Sequence, residues 1–263
     1  MPSIDSYQPL STGLCSVTLR HLPVAGVLDA MTRTGLTCIE WGGDVHVPPG
    51  DPLRAEKVGA DCRDRGIRVA SYGSYFRPGR DSITQFAPVL EAAAALRAPR
   101  IRIWAGNTGS AQTAPDQRHA VIKVTRAAAA QAADAGVQLA FEFHGGTLTD
   151  TAESAVRLLE EVDHPAVGTY WQPPVGLDDP RALAGLRHVL PWVTAVHVFS
   201  WWPHTNRLPL AARSSLWLQV FALLQRSDHP YDALMEFVSD DDPAHVIADA
   251  RTLARIVDAT HDA

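Results

Sequence analysis

The sequence predicts an α/β protein, a single (β/α)8 barrel domain over residues 1–263. Three observations predict it. Short apolar runs alternate with longer amphipathic stretches from end to end, eight of each. Strict alternation of this kind implies parallel strands with right-handed crossovers. The length divides into units of roughly 30 residues, the size of a strand–helix pair in a closed barrel. The last four apolar runs each carry one polar or ionisable residue toward the carboxyl end, where parallel α/β enzymes keep their chemistry. An open doubly wound sheet is the competing architecture, and no glycine-rich dinucleotide fingerprint follows the first strand to support it.

The predicted strands are Leu14–Leu19, Thr37–Trp41, Ile67–Tyr72, Arg100–Ala105, Val137–His144, Ala166–Gln172, Val193–Ser200 and Ala233–Val238. Each is a run of four to eight mostly apolar residues, the mark of a strand buried on both faces. Helices are predicted at 22–34, 51–65, 81–97, 115–135, 150–162, 179–188, 212–226 and 242–259. Asp51-Pro52, Asp179-Pro180 and Asp242-Pro243 each place an N-cap acceptor before a proline suited to the first helical turn. Asp150 to Glu153 reads as a capping-box variant. Gly35, Gly66 and Gly136 stand where helices must stop before the next strand.

Composition narrows the class. Hydrophobic residues make up 46% and charged residues 20%, enough to bury a large core. The formal net charge of −6, without a Lys/Arg run, argues against nucleic acid as a partner. Cys15, Cys38 and Cys62 are odd in number and widely spaced, which suggests a reducing compartment. No apolar run is long enough to span a membrane, and Met1 to Asp5 lacks a basic-then-apolar leader, so a cytoplasmic protein without a membrane partner is expected.

The most informative stretch is Val137 to Gly146. Alternation along a strand puts Glu142 and His144 on one face, and a carboxylate between Phe141 and Phe143 requires a partner or a cation. Gln172, His197 and Glu236 occupy corresponding points of the next three strands. Two carboxylates, an amide oxygen and an imidazole suit Mn²⁺, Mg²⁺ or Co²⁺, and Zn²⁺ less well. Taken singly, His197 reads as a core histidine, Glu236 as half of an ion pair and Gln172 as a loop residue; ion pairing inside the barrel is the competing account of the set. Around the rim, Trp41, Trp104, Trp171, Trp201 and Trp202 offer faces for a sugar-like ring or caps for the core. Arg102 is placed to bind an anion or to form an internal salt bridge. Asp44 and His46 are placed to bind hydroxyls or to stabilise their own loop. His144 is a candidate support for a ligand or contact to substrate.

Gly-Leu-Thr-Cys-Ile-Glu-Trp (35–41), Phe-Glu-Phe-His-Gly-Gly (141–146), Val-His-Val (196–198) and Met-Glu-Phe-Val (235–238) carry a resemblance to the xylose isomerase-like TIM barrels, the sugar phosphate isomerase/epimerase group. The resemblance covers essentially the whole chain. It implies a metal held by Glu142, Gln172, His197 and Glu236, with Glu142 and Glu236 as the acid/base pair. Position at the rim, apart from the resemblance, makes Trp41, Asp44, His46, Arg102, Trp104, His144 and Trp201 the expected substrate contacts. One departure is clear: the family has Asp on the sixth strand, usually with His three residues on, where this chain has Gln172 and Val175.

The expected activity is a metal-dependent isomerase or epimerase acting on a small carbohydrate-like molecule through an enediolate. The alternatives are a dehydratase or lyase using the same site on a keto-sugar or cyclitol, and a non-catalytic binding protein. A glycosidase would need paired carboxylates without metal, and barrel glycosidases commonly carry them on strands four and seven, where this chain has Trp104 and His197. An endonuclease is disfavoured by charge and by too few rim histidines for a zinc cluster. Family analogues are often dimers or tetramers, so the resemblance allows a homo-oligomer.

Overall fold

In the computed structural model, which describes residues 10–227 and 229–261, eight parallel strands join edge to edge without a free edge. They are β1 (Leu10–Cys15), β2 (Cys38–Gly42), β3 (Arg68–Gly73), β4 (Arg100–Ile103), β5 (Gln138–Phe141), β6 (Val167–Trp171), β7 (Val193–Val198) and, eighth in the barrel, β10 (Tyr231–Met235). The closed order is β1-β10-β7-β6-β5-β4-β3-β2. The intervening β8 (Ser200–Trp201) and β9 (Arg207–Leu208) form a small antiparallel ribbon at the rim. Helices α1 (Val24–Thr32), α2 (Pro52–Asp64), α3 (Ala87–Leu96), α4 (Pro115–Asp134), α5 (Ala152–Val162), α6 (Asp179–Val189), α7 (Ser214–Leu224) and α8 (Pro243–His261) follow the barrel strands. The chain is a closed (β/α)8 barrel. No described helix is long and apolar enough to cross a membrane.

The large apolar side chains lie between strands and helices, in one continuous core that includes Trp41, Trp171, Trp217, Phe141 and Phe221. The barrel interior differs. It is lined by small residues such as Cys15, Cys38, Ala70, Ala140 and Ala195, and this leaves room for charge. Arg100 and Arg102, two apart on β4, both point inward, as strand alternation requires. Arg100 donates to Asp232 (3.0 Å), which also pairs with Arg68, and to the Tyr170 hydroxyl (3.3 Å). One layer higher, Arg102 binds Glu40 (2.8 Å) and Glu142. The barrel is thus filled by two stacked ionic layers, and the upper one forms the floor of a cavity.

Seven predicted strands overlap the observed ones closely; the first is displaced. Residues Ser16–Leu19 form a 3-10 turn, and β1 begins at Leu10. Gly13 explains the register: a Cβ there would lie 2.3 Å from the Cys38 carbonyl oxygen, so only glycine lets β1 approach β2 this closely. The leader reading at Met1 to Asp5 lies outside the described residues. Asp51 caps α2 as expected, accepting from the Arg54 N–H. At α5 and α6 the caps are Thr151 and Asp178, one residue away from Asp150 and on the other side of Asp179. Asp150 instead accepts from the Ser110 N–H, and Asp179 pairs with Arg213.

Candidate active site

Four backbone positions just at or beyond strand ends converge above the upper ionic layer. Glu142 follows β5, and its N–H continues the ladder by donating to the Ile103 carbonyl (2.8 Å). Glu236 follows β10 and donates likewise to Val198 (3.0 Å). Gln172 follows β6, and His197 sits within β7. The strand ladders therefore position all four, and His197 is fully buried. Phe237, next to Glu236, has φ 51°, a left-handed conformation rare for a bulky residue, and its N–H is held by Thr18 Oγ1 (2.9 Å).

The side chains meet. Ligand atoms of Glu142, His197 and Glu236 all lie within 4.8 Å of one another. Nδ1 of His197 is 2.7 Å from Gln172 Oε1 and 3.4 Å from Glu236 Oε2. Its Nε2 is 3.8 Å from Glu40 Oε1 and has no hydrogen-bond partner among the described residues. Tyr170 lies edge-on to the imidazole at 5.0 Å.

Charge sets the character of the site. Burial works against ionising Glu40, but Arg102, His197 and the Ser71 hydroxyl outweigh it and hold the carboxyl below its usual range. Glu236 goes the other way: burial pushes it up, with Glu142 and Glu40 adding to the push against His197 and Arg102. Burial, with Glu40 and Glu236 adding to it, pushes the Cys15 thiol well up, and its sulfur lies within 4.8 Å of ligand atoms of Glu40 and His197. Three buried carboxylates, Glu40, Glu142 and Glu236, face one buried guanidinium, Arg102. The formal charge of −2 is what one divalent cation neutralises. Two carboxylates, an imidazole nitrogen and an amide oxygen are the donors of such an ion. These residues fit a divalent metal, and a fourth carboxylate in place of Gln172 would overshoot the balance.

Above this floor opens a cavity of about 520 Å³. Of the residues expected at substrate, Trp104, His144, Trp201 and Arg102 line it. His144 stacks on Trp104 (centroids 4.1 Å), and the Trp104 and Trp201 indole N–H groups are buried without partners among the described residues. Arg102 is committed to Glu40 and Glu142, so it clamps a carboxylate rather than offering itself to substrate. Trp41 and His46 do not line the cavity. Trp41 is buried behind β2 with its indole nitrogen on Cys62 Sγ (3.2 Å), and His46 is held by Ser16 Oγ and the Leu22 carbonyl (3.0 Å each). Asp44 stands behind the wall, bound to Arg20 and Tyr75. Sequence reasoning missed Glu40, although a charged residue within Cys38 to Trp41 is the signal that singled out Glu142. It also missed Arg20 and Tyr170, which carry no comparable signal.

Comparison with known proteins follows the same lines. The model of the family described as xylose isomerase-like TIM barrel matches residues 28–206. A curated relative, 3-dehydroshikimate dehydratase of Bacillus anthracis, is 32% identical over 163 residues, 58% of this chain. The match spans 58% of that relative's length. Among solved structures, the probable 3-DHS dehydratase involved in petrobactin synthesis from B. anthracis superposes with a TM-score of 0.80 at 19% identity, covering 93% of this chain and 98% of that one. A xylose isomerase-like TIM barrel protein from Mycobacterium smegmatis in complex with magnesium gives 0.72 at 16% identity (97% and 98%). The 3-keto-D-glucoside 4-epimerase of E. coli gives 0.71 at 18% (94% and 98%). At these identities the structural likeness establishes the fold.

Proposed function

Because the chain belongs to the xylose isomerase-like TIM barrel family, we propose that it is a divalent-metal-dependent dehydratase acting on a small cyclic keto acid of the 3-dehydroshikimate type. The observation that carries the reading is the meeting of Glu142, His197 and Glu236 within 4.8 Å beneath an open cavity. The dehydratase relative, 32% identical over its matched part, supports the choice of reaction. Glu142, Gln172, His197 and Glu236 would hold the ion. When bound, it would supply Lewis-acid stabilisation of negative charge developing on two adjacent substrate oxygens.

The chain's own residues divide the proton work. Glu142, fixed by Arg102, is placed to take the proton from the hydroxyl-bearing carbon beside the ketone. Glu236, which has no arginine partner among the described residues, would protonate the hydroxyl that leaves from the next carbon. One C–H bond and one C–O bond break, one water departs, and tautomerisation of the dienone yields a dihydroxybenzoate. Trp104 and Trp201 supply flat apolar walls for a ring, and the stacked His144 narrows the space above it.

Epimerisation is the second reading. It is favoured by the position of the carboxylates, which reach the site from β5 and β10 on different sides of the barrel. The test is direct. Manganese-loaded protein given 3-dehydroshikimate should build up aromatic absorbance, and Glu142→Gln and Glu236→Gln should each abolish it. Solvent deuterium entering a recovered keto-sugar, with no aromatic product from 3-dehydroshikimate, would replace dehydration with epimerisation.

A further inference from the structure

Arg20 lies just beyond the 3-10 turn that follows β1 and lines the same cavity. Its guanidinium is held from three directions. Nε donates to Asp44 Oδ2 (2.6 Å), Nη2 donates to the Tyr75 hydroxyl (2.7 Å), and the Phe237 ring lies 5.5 Å from its centre. Tyr75 in turn donates to Asp44 (3.1 Å). Loops after β1, β2, β3 and β10 thus converge on one side chain, and the left-handed backbone at Phe237 helps to place its ring there. Asp44 is not part of the cavity wall, so the pair presents its positive end to the cavity.

The bonding pattern leaves a specific edge free. Asp44 takes the Nε side and Tyr75 takes one Nη2 hydrogen. Both Nη1 hydrogens and the other Nη2 hydrogen have no partner among the described residues. That edge matches a carboxylate, which accepts two parallel N–H bonds from an arginine fork. Arg20 and Arg102 are the arginines among the cavity-lining residues, and Arg77 lies outside that lining, stacked over the Trp104 ring at 3.9 Å. Arg102 is buried between Glu40 and Glu142, and Arg207 is bound to Asp241. With an ion in place the floor is electrically balanced, so an anionic substituent on the substrate has to be recognised at the wall.

We propose that Arg20 is the residue that reads a substrate carboxylate, positioned for it by Asp44, Tyr75 and Phe237. The substrate class is then a ring carrying a carboxylate at the end away from the reacting carbons. The inference rests on the keto-acid reading for its reaction, but the recognition can be measured without turnover.

The experiment titrates manganese-loaded protein with 3,4-dihydroxybenzoate and with 3,4-dihydroxybenzamide, following tryptophan fluorescence from the cavity. Wild type should bind the acid roughly 10–100-fold more tightly than the amide, the range of a charged hydrogen-bonded contact. Arg20→Gln should bind the two alike, and Arg20→Lys should recover part of the preference. On 3-dehydroshikimate, Arg20→Gln should raise KM by a similar factor with kcat within a few-fold, the pattern of a uniform binding contact. Equal binding of acid and amide by wild type, or an undiminished preference in Arg20→Gln, would overturn the assignment. A preference lost in Arg20→Gln, alongside a wild type that converts no keto acid, would uphold Arg20 and remove the dehydratase reading alone.

Discussion

At the scale of single residues, the decisive one is Arg102. It pairs with Glu40 and Glu142 at once, and all three are buried. Removing it strands two carboxylates away from water, which costs far more than the ion pairs themselves contribute. Arg102→Leu should lose about 3–5 kcal/mol of folding stability in denaturant titrations. Glu40→Gln, which keeps Glu142 paired, should lose clearly less; equal losses would show that the clamp on Glu142 is not what matters. This residue also marks where sequence reasoning stopped. That Arg102 faces inward was legible from alternation along β4, but which partner it meets depends on the closure that brings β2 and β5 to either side of it. Trp41 and His46 escaped for the same reason. Nearness to a strand end does not tell whether a side chain faces the cavity or the helix layer: β2 turns Trp41 away, and the loop beyond it turns His46 toward Ser16 and Leu22.

At the scale of elements, periodicity and capping carried most of the fold. Eight helices and seven strands are where apolar patterning puts them, because both faces of a barrel strand are buried and each helix must bury one stripe. What was hidden is governed by contacts between distant segments. The displaced β1 depends on the pairing of Gly13 with Cys38, and the β8–β9 ribbon is too short to show a period. The same distinction decides what glycines do inside helices. In α2, a Cβ on Gly59 would lie 2.9 Å from the Leu96 carbonyl oxygen on the neighbouring α3, whereas one on Gly26 in α1 would meet only side-chain carbons at 3.4 Å. Gly59→Ala should therefore destabilise by about 1–3 kcal/mol through overpacking. Gly26→Ala should stabilise by about 0.5–1 kcal/mol through helix propensity. Thermal melts of the two variants check the pair, and a shift in the same direction for both would show that propensity alone governs these sites.

At the scale of the whole molecule, the stacked ionic layers tie stability to pH. Glu40 has its carboxyl held below the ordinary value of 4.5 despite burial. A depressed acid contributes stability that is fully present above its unfolded value and is lost as pH falls through its folded value. The chain should accordingly lose stability progressively as the medium is acidified from about pH 5 downward. In Glu40→Gln that contribution is already missing, so its stability should start lower at neutral pH and fall less steeply. Urea titrations at several pH values compare the slopes, and parallel curves would assign the acid sensitivity elsewhere.

The uneven charge of the floor has a further meaning for the life of the molecule. Without a cation, three carboxylates share one guanidinium in a place water hardly reaches, and the native state bears that repulsion. Binding favours the folded chain over the unfolded one by about 2.7 kcal/mol when the ion is at a hundred times its dissociation constant. Manganese should raise the melting temperature of wild type and leave Glu236→Gln almost unmoved; no rise in wild type would separate the carboxylates from ion binding. Loading and longevity then become one property. Under the proposed metal reading, a chain without its ion would open more often and offer itself more readily to proteases, so the surviving pool would be enriched in loaded molecules.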